Sequence, residues 1–381
     1  MIRSHVAAIA RAPDDDTLRR VCADELSAAG NPRGEFITLS LMPAPTKSQQ
    51  AQRELLLSEH GGKWLAPLLE LGAQSFHSKI DGVPFFERGF VAAAGLFGRS
   101  VENVSALLER EPIVKLRLTS GGVGPFRKAA RAPELAQLRT LVLDGRHIEG
   151  SEDVLAAPLP LLEELVLRRT LEAIDAQAWA SGTARPLIAS FGVENLGSGV
   201  RPLGTSGALA RVQVLSVRHV NEASVVAMAP GLGEGLHTLT LDEPDLTEAA
   251  MRALHPRLRG LSTFRCTSFP SAQQQRALDS SCIAYLIDAF SGGKLRVLDL
   301  QGMRAANWGA LLNAPAMRNV VELNLGHGAL SLDAARAISR SVHLGSLRVL
   351  DVRQTYDDEA LGALRLPPSV QIERHRTEPW D

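Results

Sequence analysis

The most regular feature of the chain is a six-residue pattern with apolar residues at positions 1, 4 and 6. Its clearest copies, residues 295–300 and 347–352, have the sequences LRVLDL and LRVLDV. Ten copies occur, with first residues at 113, 138, 162, 188, 212, 236, 261, 295, 320 and 347. Eight of the nine intervals are 24 to 27 residues, and the ninth is 34. Repetition at this period indicates a stack of similar units rather than one irregular core.

Each copy predicts a short β-strand with one buried face, because positions 4 to 7 alternate between apolar and other residues. One such strand cannot bury its apolar face alone, so successive copies should stack as parallel strands about 4.8 Å apart. Parallel strands need a crossover connection, and segment 331–339 predicts a helical one. There Ser331 is a suitable N-cap, and Leu332, Ala335 and Ile338 share one helix face.

The pattern and its period resemble the leucine-rich repeat, whose units are about 20–29 residues long. The resemblance implies an α/β solenoid of horseshoe shape, with a parallel sheet on the concave side and helices on the convex side. We expect residues 113–381 to form a leucine-rich-repeat domain of about ten repeats with a C-terminal cap. Residues 367–372 predict a degenerate final strand, and residues 197–207, with four glycines and a proline, predict a loop.

The N-terminal residues 1–112 follow a different pattern. Residues 16–30 predict an amphipathic helix that Gly30 ends, and Asn31 and Pro32 predict a turn. A further helix is predicted over 48–60, ended by Gly61 and Gly62. Trp64 and the aromatic residues of segment 84–90 predict a small separate core.

Part of this region resembles the short repeat-companion domain that precedes leucine-rich repeats in bacteria. The resemblance covers roughly residues 14–42 and departs at Cys22 and Glu25, where that family usually has aromatic residues. It implies no activity. Because the exposed first strand of a solenoid must be covered, we expect residues 1–112 to form a helical cap. The matching residues are Ala23, Asp24, Leu26, Gly30, Asn31, Pro32, Arg33, Gly34, Glu35, Phe36, Ile37 and Leu39.

Composition narrows the functional classes. The chain of 381 residues has a formal net charge of −1, with 12 basic and 14 acidic residues in 1–112 and 29 and 28 in the remainder. Neither part has the basic excess of a nucleic-acid-binding protein. No stretch approaches the ~18 apolar residues that span a bilayer, and the apolar run 6–10 is too short for a signal-peptide core. We therefore expect a soluble, cytoplasmic protein, with a monomer favoured.

The cysteines and histidines offer no recognisable chemical site. The three cysteines, Cys22, Cys266 and Cys282, have no CxxC spacing, so neither a disulfide framework nor a zinc site is expected. Cys266 should be a core residue, and Cys22 should pack on a helix face. His219 and His327 both occupy position 8 of their copies, but four strands separate them, roughly 19 Å, which is too far for one metal ion.

Positions 3, 5 and 7 should point away from the core, so each forms a column of side chains across the strands. Charges alternate over five successive residues of the position-7 column, which predicts either a self-neutralised ladder or a charged strip for a protein partner. That column comprises Thr119, Asp144, Arg168, Glu194, Arg218, Asp242 and Thr267.

The position-5 column is small or apolar at first and polar later, as protein-binding surfaces can be. Asp299 and Asp351 are two strands, about 10 Å, apart, which disfavours a shared metal ion and a retaining glycosidase pair. The column comprises Arg117, Val142, Val166, Gly192, Ser216, Thr240, Arg265, Asp299, Asn324 and Asp351.

These patterns favour a non-enzymatic bacterial scaffold that binds another protein through the concave face, with no cofactor, metal site or catalytic residue. Two alternatives remain open: an enzyme or effector with chemistry in residues 1–112, and a structural homo-oligomer formed through the aromatic cluster of the cap. The predicted partner-binding residues are Arg218, Asp242, Arg265, Asp299, Asn324, Asp351 and Arg353.

Overall fold

The computed structural model describes residues 2–76, 86–119, 123–145, 150–181, 188–242, 244, 246–268, 277–327, 330–355 and 357–373. The chain forms two compact units. The first comprises Met1–Arg169 and Ser181–Ile188, and the second comprises Thr170–Ala180 and Ala189–Asp381. The expected C-terminal cap lies partly outside the described residues, at 374–381, as do residues 84 and 85 of the predicted aromatic cluster.

The first unit begins with four helices, α1 (Ile2–Arg11), α2 (Asp16–Ala28), α3 (Pro32–Ser40) and α4 (Lys47–Leu69). Side-chain caps fix where three of them begin: Asp15 accepts a hydrogen bond from the N–H of Thr17, Asn31 from Arg33, and Thr46 from Gln49. Short strands follow, β1 (Ala73–Gln74), β2 (Phe86–Glu87), β3 (Phe90–Val91) and β4 (Ala93–Phe97).

The remainder of the first unit alternates strands with short helical connections. The strands are β5 (Lys115–Thr119), β6 (Thr140–Asp144) and β7 (Glu164–Thr170). The connections are α5 (Val104–Leu108), α6 (Val123–Ala129) and α7 (Ser151–Ala156), with 3-10 helices at Gly98–Asn103 and Pro133–Gln137. Strands β4 to β7 pair in parallel, β1 pairs antiparallel with β4, and β2 pairs antiparallel with β3.

The second unit continues the same alternation. Its strands are β8 (Ser190–Asn195), β9 (Val214–Arg218), β10 (Thr238–Asp242), β11 (Thr263–Thr267), β12 (Ala277–Leu278), β13 (Val297–Asp299), β14 (Arg304–Ala305), β15 (Glu322–Asn324), β16 (Val349–Asp351) and β17 (Gln371–Glu373). Except for β12 and β14, which pair with each other, they form one parallel sheet in chain order.

The helices of the second unit connect these strands. They are α8 (Ala173–Ser181), α9 (Val200–Thr205), α10 (Glu222–Met228), α11 (Glu248–Leu258), α12 (Ser280–Phe290), α13 (Trp308–Leu312), α14 (Leu332–Arg340) and α15 (Asp358–Ala363). Two 3-10 helices lie at Ala229–Gly231 and Pro315–Asn319.

The register of the sheet follows the repeated pattern. Leu239 lies opposite Leu215 on one side and Phe264 on the other, so position 4 aligns with position 4 across strands. Position 6 aligns in the same way, with Leu241 opposite Val217 and Cys266. These side chains are fully buried. One parallel strand per repeat, joined to the next by a helical connection, confirms the α/β leucine-rich-repeat solenoid.

Three local predictions were wrong. Helix α4 continues through Gly61 and Gly62 to Leu69, because a glycine costs only about 1 kcal/mol in a helix and Leu56, Leu65 and Leu68 bury its inner face.

The segment predicted as a loop contains α9, whose Gly204 allows close approach to α10. A Cβ atom at Gly204 would lie 2.0 Å from the carbonyl oxygen of Ala227. The parallel part of the sheet also begins one strand earlier than the first predicted copy. Strand β4 presents Ala94 and Leu96 opposite Leu116 and Leu118, and the small residues at 93–95 concealed the pattern.

We predict that Gly204→Ala destabilises the chain by about 1–3 kcal/mol, because the added methyl group forces α9 away from α10. The measurement is the urea midpoint of unfolding, followed by circular dichroism. Gly235→Ala is the matched control, since nothing lies within 4 Å of a Cβ atom built at Gly235. Equal midpoints for the two variants would contradict this account of the α9 packing.

Candidate partner-binding face

The accessible side of the second unit's sheet, defined by positions 3, 5 and 7 and here called the open face, carries three exposed arginines. Arg218 lies at the end of β9, Arg265 in the middle of β11, and Arg353 two residues after β16. The alternate side chains of the same strands are buried in the core. A rigid parallel sheet therefore positions the three guanidinium groups.

Arg218 and Asp242 form the charge pair that the position-7 column predicts. The Nε atom of Arg218 lies 3.2 Å from Oδ2 of Asp242, and the two residues are direct neighbours in register. The hydroxyl of Thr267, on the next strand, donates a hydrogen bond of 2.5 Å to Oδ1 of the same carboxylate. Asp242 is thus held from both sides, while the side chain of Arg218 remains 55% exposed.

Arg265 lies beside Asp299 on the neighbouring strand. Burial raises the pKa of the Asp299 carboxyl group, and the charge of Arg265 opposes part of that rise. Arg265 makes no ion pair shorter than 4 Å with any residue in the described part of the chain. Its guanidinium group therefore retains most of its capacity to bind an external acceptor.

The polar residues at position 5 of the last repeats cap the ends of their own strands. Asp299 accepts a hydrogen bond from the backbone N–H of Gln301 at 3.1 Å, and Asn324 accepts one from Gly326 at 2.9 Å. Asp351 does the same with the N–H of Arg353 at 3.0 Å. Asp and Asn side chains commonly form this turn with the residue two positions later. The sequence signal for this turn, an Asp or Asn at position 5, was present in three successive copies.

Asp351 also holds the side chain of Arg353. Its carboxylate accepts hydrogen bonds from Nε of Arg353 at 3.0 Å and from Nη2 at 2.5 Å. Burial by itself raises the pKa of Asp351, but the hydrogen bonds and charge of Arg353 outweigh it and keep the pKa below its ordinary value. Asp351 is only 6% exposed, whereas the side chain of Arg353 is 52% exposed.

The alternating ladder does not extend in the predicted way to Asp144. The carboxylate of Asp144 pairs with Arg117, which lies one strand earlier at position 5, rather than with Arg168. A long arginine side chain can reach a diagonal neighbour across a sheet, so the column position alone did not determine the pair. Arg168 is exposed.

Position 8 is a left-handed turn rather than a ligand position. His219, His327 and Gln354 have φ angles of 50°, 55° and 57°, and Gly302, at the same place, has 70°. The N–H groups of His219 and His327 donate to the carbonyl oxygens of Asp242 and Arg353, each at 2.9 Å. His219 is exposed and His327 is half-buried. These histidines therefore form part of the backbone connection between repeats.

The N-terminal part of the first unit contains a buried ion pair between Arg33 and Glu111. Nη2 of Arg33 lies 2.7 and 2.8 Å from the two carboxylate oxygens, and the residues are 4% and 3% exposed. Glu111 also accepts the N–H of Val91 at 3.1 Å. Burial raises the pKa of Glu111, and Arg33 opposes that rise.

Aromatic rings surround the guanidinium group of Arg33. Its central carbon lies 5.8 Å from the ring centroid of Trp64, 5.5 Å from that of Phe86 and 5.4 Å from that of Phe90. Phe36 packs on Trp64 and Phe86, with centroids 5.1 and 5.4 Å apart. Desolvated cation–π contacts of this kind stabilise a buried arginine.

Other residues of the companion-like segment also serve packing. A Cβ atom at Gly34 would lie 2.6 Å from the carbonyl oxygen of Ala23, so Gly34 permits α2 and α3 to pack closely. Ile37 is fully buried, and Cys22 lies beside it in the same core cluster. Burial raises the pKa of the Cys22 thiol, which opposes thiolate chemistry there. The predicted packing of Cys22 and Cys266 in the core is confirmed.

The described residues contain no group of three or more His, Cys, Asp or Glu side chains that could hold a metal ion. None of their helices is both long and apolar enough to span a bilayer.

Burial, with the Asp279 carboxylate, raises the pKa of the Cys282 thiol to about 12.

We predict that Arg33→Met or Glu111→Gln destabilises the chain by about 3–5 kcal/mol, because either change leaves one buried partner without its counterpart. The double variant Arg33→Met/Glu111→Leu should lose less stability than Arg33→Met, since it leaves no lone buried charge. Urea unfolding measures all three. Arg99→Met, at an exposed arginine, is the control; comparable losses in the control would refute the assigned role of the ion pair.

We also predict a pH dependence at Asp351. Because its folded pKa lies below the unfolded value, its contribution to stability is present above about pH 4 and is lost as the pH falls through the folded pKa. Asp351→Asn should therefore be less stable than wild type at pH 7, with the difference shrinking towards pH 2. Thermal melts of both proteins from pH 7 to pH 2 measure this difference in stability. A difference that stays constant with pH would contradict the prediction.

The chain has structural neighbours among solved proteins. No protein-family model matches the chain, and no curated protein does. Among solved structures, it resembles the leucine-rich repeat-containing protein LegL7 from Legionella pneumophila, with 16% identity and a TM-score of 0.37. The match covers 68% of this chain and 82% of that protein. The assignment of the repeat fold rests on the strand register described above.

Proposed function

We propose that this chain is a non-enzymatic scaffold that binds another protein through the open face, the concave side predicted from the sequence. The observation that supports the proposal most directly is the set of three exposed arginines, Arg218, Arg265 and Arg353, on one side of one sheet. Arg265 lies two strands from Arg218, and Arg353 follows a strand three further along. Arginine is enriched at the energetically important centres of protein interfaces.

The arginines differ from ordinary mobile surface charges because two of them are oriented in advance. Asp242 holds Arg218, and Asp351 holds Arg353 through hydrogen bonds to its side chain. A side chain that is already oriented loses less conformational entropy when a partner binds. Arg265 contributes a guanidinium group that can form a forked contact with a carboxylate.

The predicted residues thus divide into three roles. Arg218, Arg265 and Arg353 contact the partner, whereas Asp242 and Asp351 orient two of them. Asp299 and Asn324 fix the strand ends from which the neighbouring side chains project. The partner surface should present carboxylate groups or backbone carbonyl oxygens at matching positions.

Beside the arginines, the open face is lined by small and β-branched residues. Val214, Ser216, Thr238 and Thr240 are half-buried on two adjacent strands. Short side chains allow a partner to approach the sheet closely, and the hydroxyl groups can donate and accept hydrogen bonds. A mildly apolar strip next to charged groups is compatible with a non-obligate protein interface.

We further propose that residues 1–112 act as a helical repeat-companion cap and that residues 113–381 provide the binding repeats, in a cytoplasmic bacterial protein that is monomeric. The aromatic rings considered for homo-oligomer contacts pack around Arg33 inside the cap, which favours the scaffold over self-assembly. The buried thiol of Cys22 favours it over a cysteine enzyme in the cap.

The test is affinity capture from a lysate of the source organism, followed by measurement of Kd for the purified partner. We predict that Arg218→Glu/Arg265→Glu/Arg353→Glu weakens binding by about 100-fold or more, since each exposed anchor contributes on the order of 1 kcal/mol or more and its reversal adds repulsion.

The matched control is Arg99→Glu/Arg201→Glu/Arg318→Glu, which makes the same change of charge at exposed arginines away from the open face. Circular dichroism and urea midpoints establish that both variants fold. An unchanged Kd for the open-face variant, or an equal loss in the control, would overturn the proposal.

A further inference from the structure

A groove on the helical side of the second unit has chemistry that the open face does not explain. It has a volume of about 450 Å³ and lies between α13 and α14. Its principal polar lining residues are Asn307, Asn313, Ser331, Arg336 and Arg340, and Trp308 also lines it. Cavities of a few hundred Å³ are the size class that holds small molecules in proteins.

Arg336 and Arg340 are one helical turn apart on α14, and both line the groove. Both are exposed, and neither forms an ion pair or a side-chain hydrogen bond with any residue in the ranges that the structure describes. Two like charges at this spacing repel each other on a helix surface. An anion bound between them would remove that repulsion.

Two other polar groups of the groove offer hydrogen-bond donors, whereas Asn313 uses its side-chain nitrogen to donate to the carbonyl oxygen of Gly309 at 3.0 Å. Asn307 uses its side-chain oxygen to accept the N–H of Ala310 at 2.8 Å, which leaves its amide nitrogen as a donor. Ser331 accepts the N–H of Ala334 at 3.2 Å, which leaves its O–H group as a donor. Such a lining matches a ligand rich in acceptor oxygens.

One carboxylate also lines the groove, Asp333 in the first turn of α14. It is exposed, and no ion pair shorter than 4 Å joins it to Arg336 within the described part of the chain. The two arginines therefore give the lining an excess of positive charge. Trp308 is almost completely buried and supplies an apolar wall.

We propose that this groove binds a small molecule that carries two neighbouring anionic groups, either phosphates or carboxylates. Each guanidinium group forms a forked contact with one anionic group, since the planar fork of arginine matches both phosphate and carboxylate oxygens. The donors of Asn307 and Ser331 complete the contacts. This site is separate from the proposed protein-binding face and uses none of its residues.

The experiment is isothermal titration calorimetry of the full chain with pyrophosphate and, separately, with citrate, at low ionic strength. We expect saturable binding of at least one probe, with one site per chain. Arg336→Gln/Arg340→Gln should weaken that binding by about 100-fold or more, because charge-assisted hydrogen bonds each contribute about 1.5–3 kcal/mol. The affinity of Arg336→Lys/Arg340→Lys should lie between those of the wild type and the glutamine variant, since lysine keeps the charge but lacks the planar fork of arginine.

The matched control is Arg318→Gln/Arg348→Gln, which removes the same charge at two exposed arginines outside the groove lining. Preference for pyrophosphate would assign a phosphorylated ligand, and preference for citrate a carboxylated one. Absence of binding by both probes, unchanged binding by the glutamine variant, or an equal loss in the control would overturn the proposal.

A second measurement reports on the location of binding. Tryptophan fluorescence of the wild type should change on addition of the bound probe, and Trp308→Phe should abolish that change while the heat of binding persists. Persistence of the fluorescence change in Trp308→Phe would contradict the assigned location. Capture of a protein partner by the groove variants should equal wild type, so failure here is distinguishable from failure of the open-face proposal.

Discussion

The register of the parallel strands is the constraint on which the rest of this structure depends. Positions 4 and 6 of each repeat lie opposite the same positions of the next, as Leu239 does with Leu215 and Phe264. A slip of one residue would move every buried side chain of that strand to the accessible face. The same register places Arg218 beside Asp242 and Arg265 beside Asp299, so the chemistry of the open face follows from the packing of the core.

Polar residues near the strand ends stabilise a turn after the strand in three successive repeats. Asp299, Asn324 and Asp351 each accept the N–H two residues later, and the backbone then turns through the left-handed position occupied by Gly302, His327 and Gln354. These acidic and amide groups thus bind their own backbone, and Asp351 also binds the side chain of Arg353. Arg218, Arg265 and Arg353 remain exposed on the same side of the sheet.

The N-terminal part of the first unit contains a different kind of interaction, a buried ion pair. Burial of Arg33 and Glu111 costs desolvation free energy, which their short contacts and the surrounding aromatic rings offset. Replacement by apolar residues can be neutral in other proteins. Here the pair joins α3 to the segment that precedes β5, so Arg33 and its neighbours in the sequence have a role in packing.

The sequence by itself determined the repeat, the parallel strands, the buried positions and the columns of the open face, because each of these depends on a local period that neighbouring copies share. Tertiary structure decided the features that depend on residues far apart in the chain. Packing against the core lets α4 continue through Gly61 and Gly62, and Gly204 permits α9 to lie close to α10. Asp144 pairs with Arg117, which lies on the preceding strand. Arg336 and Arg340 line a groove together with Asn307. Periodicity fixes which way a side chain points, whereas its partner depends on the length and packing of chain segments that periodicity does not describe.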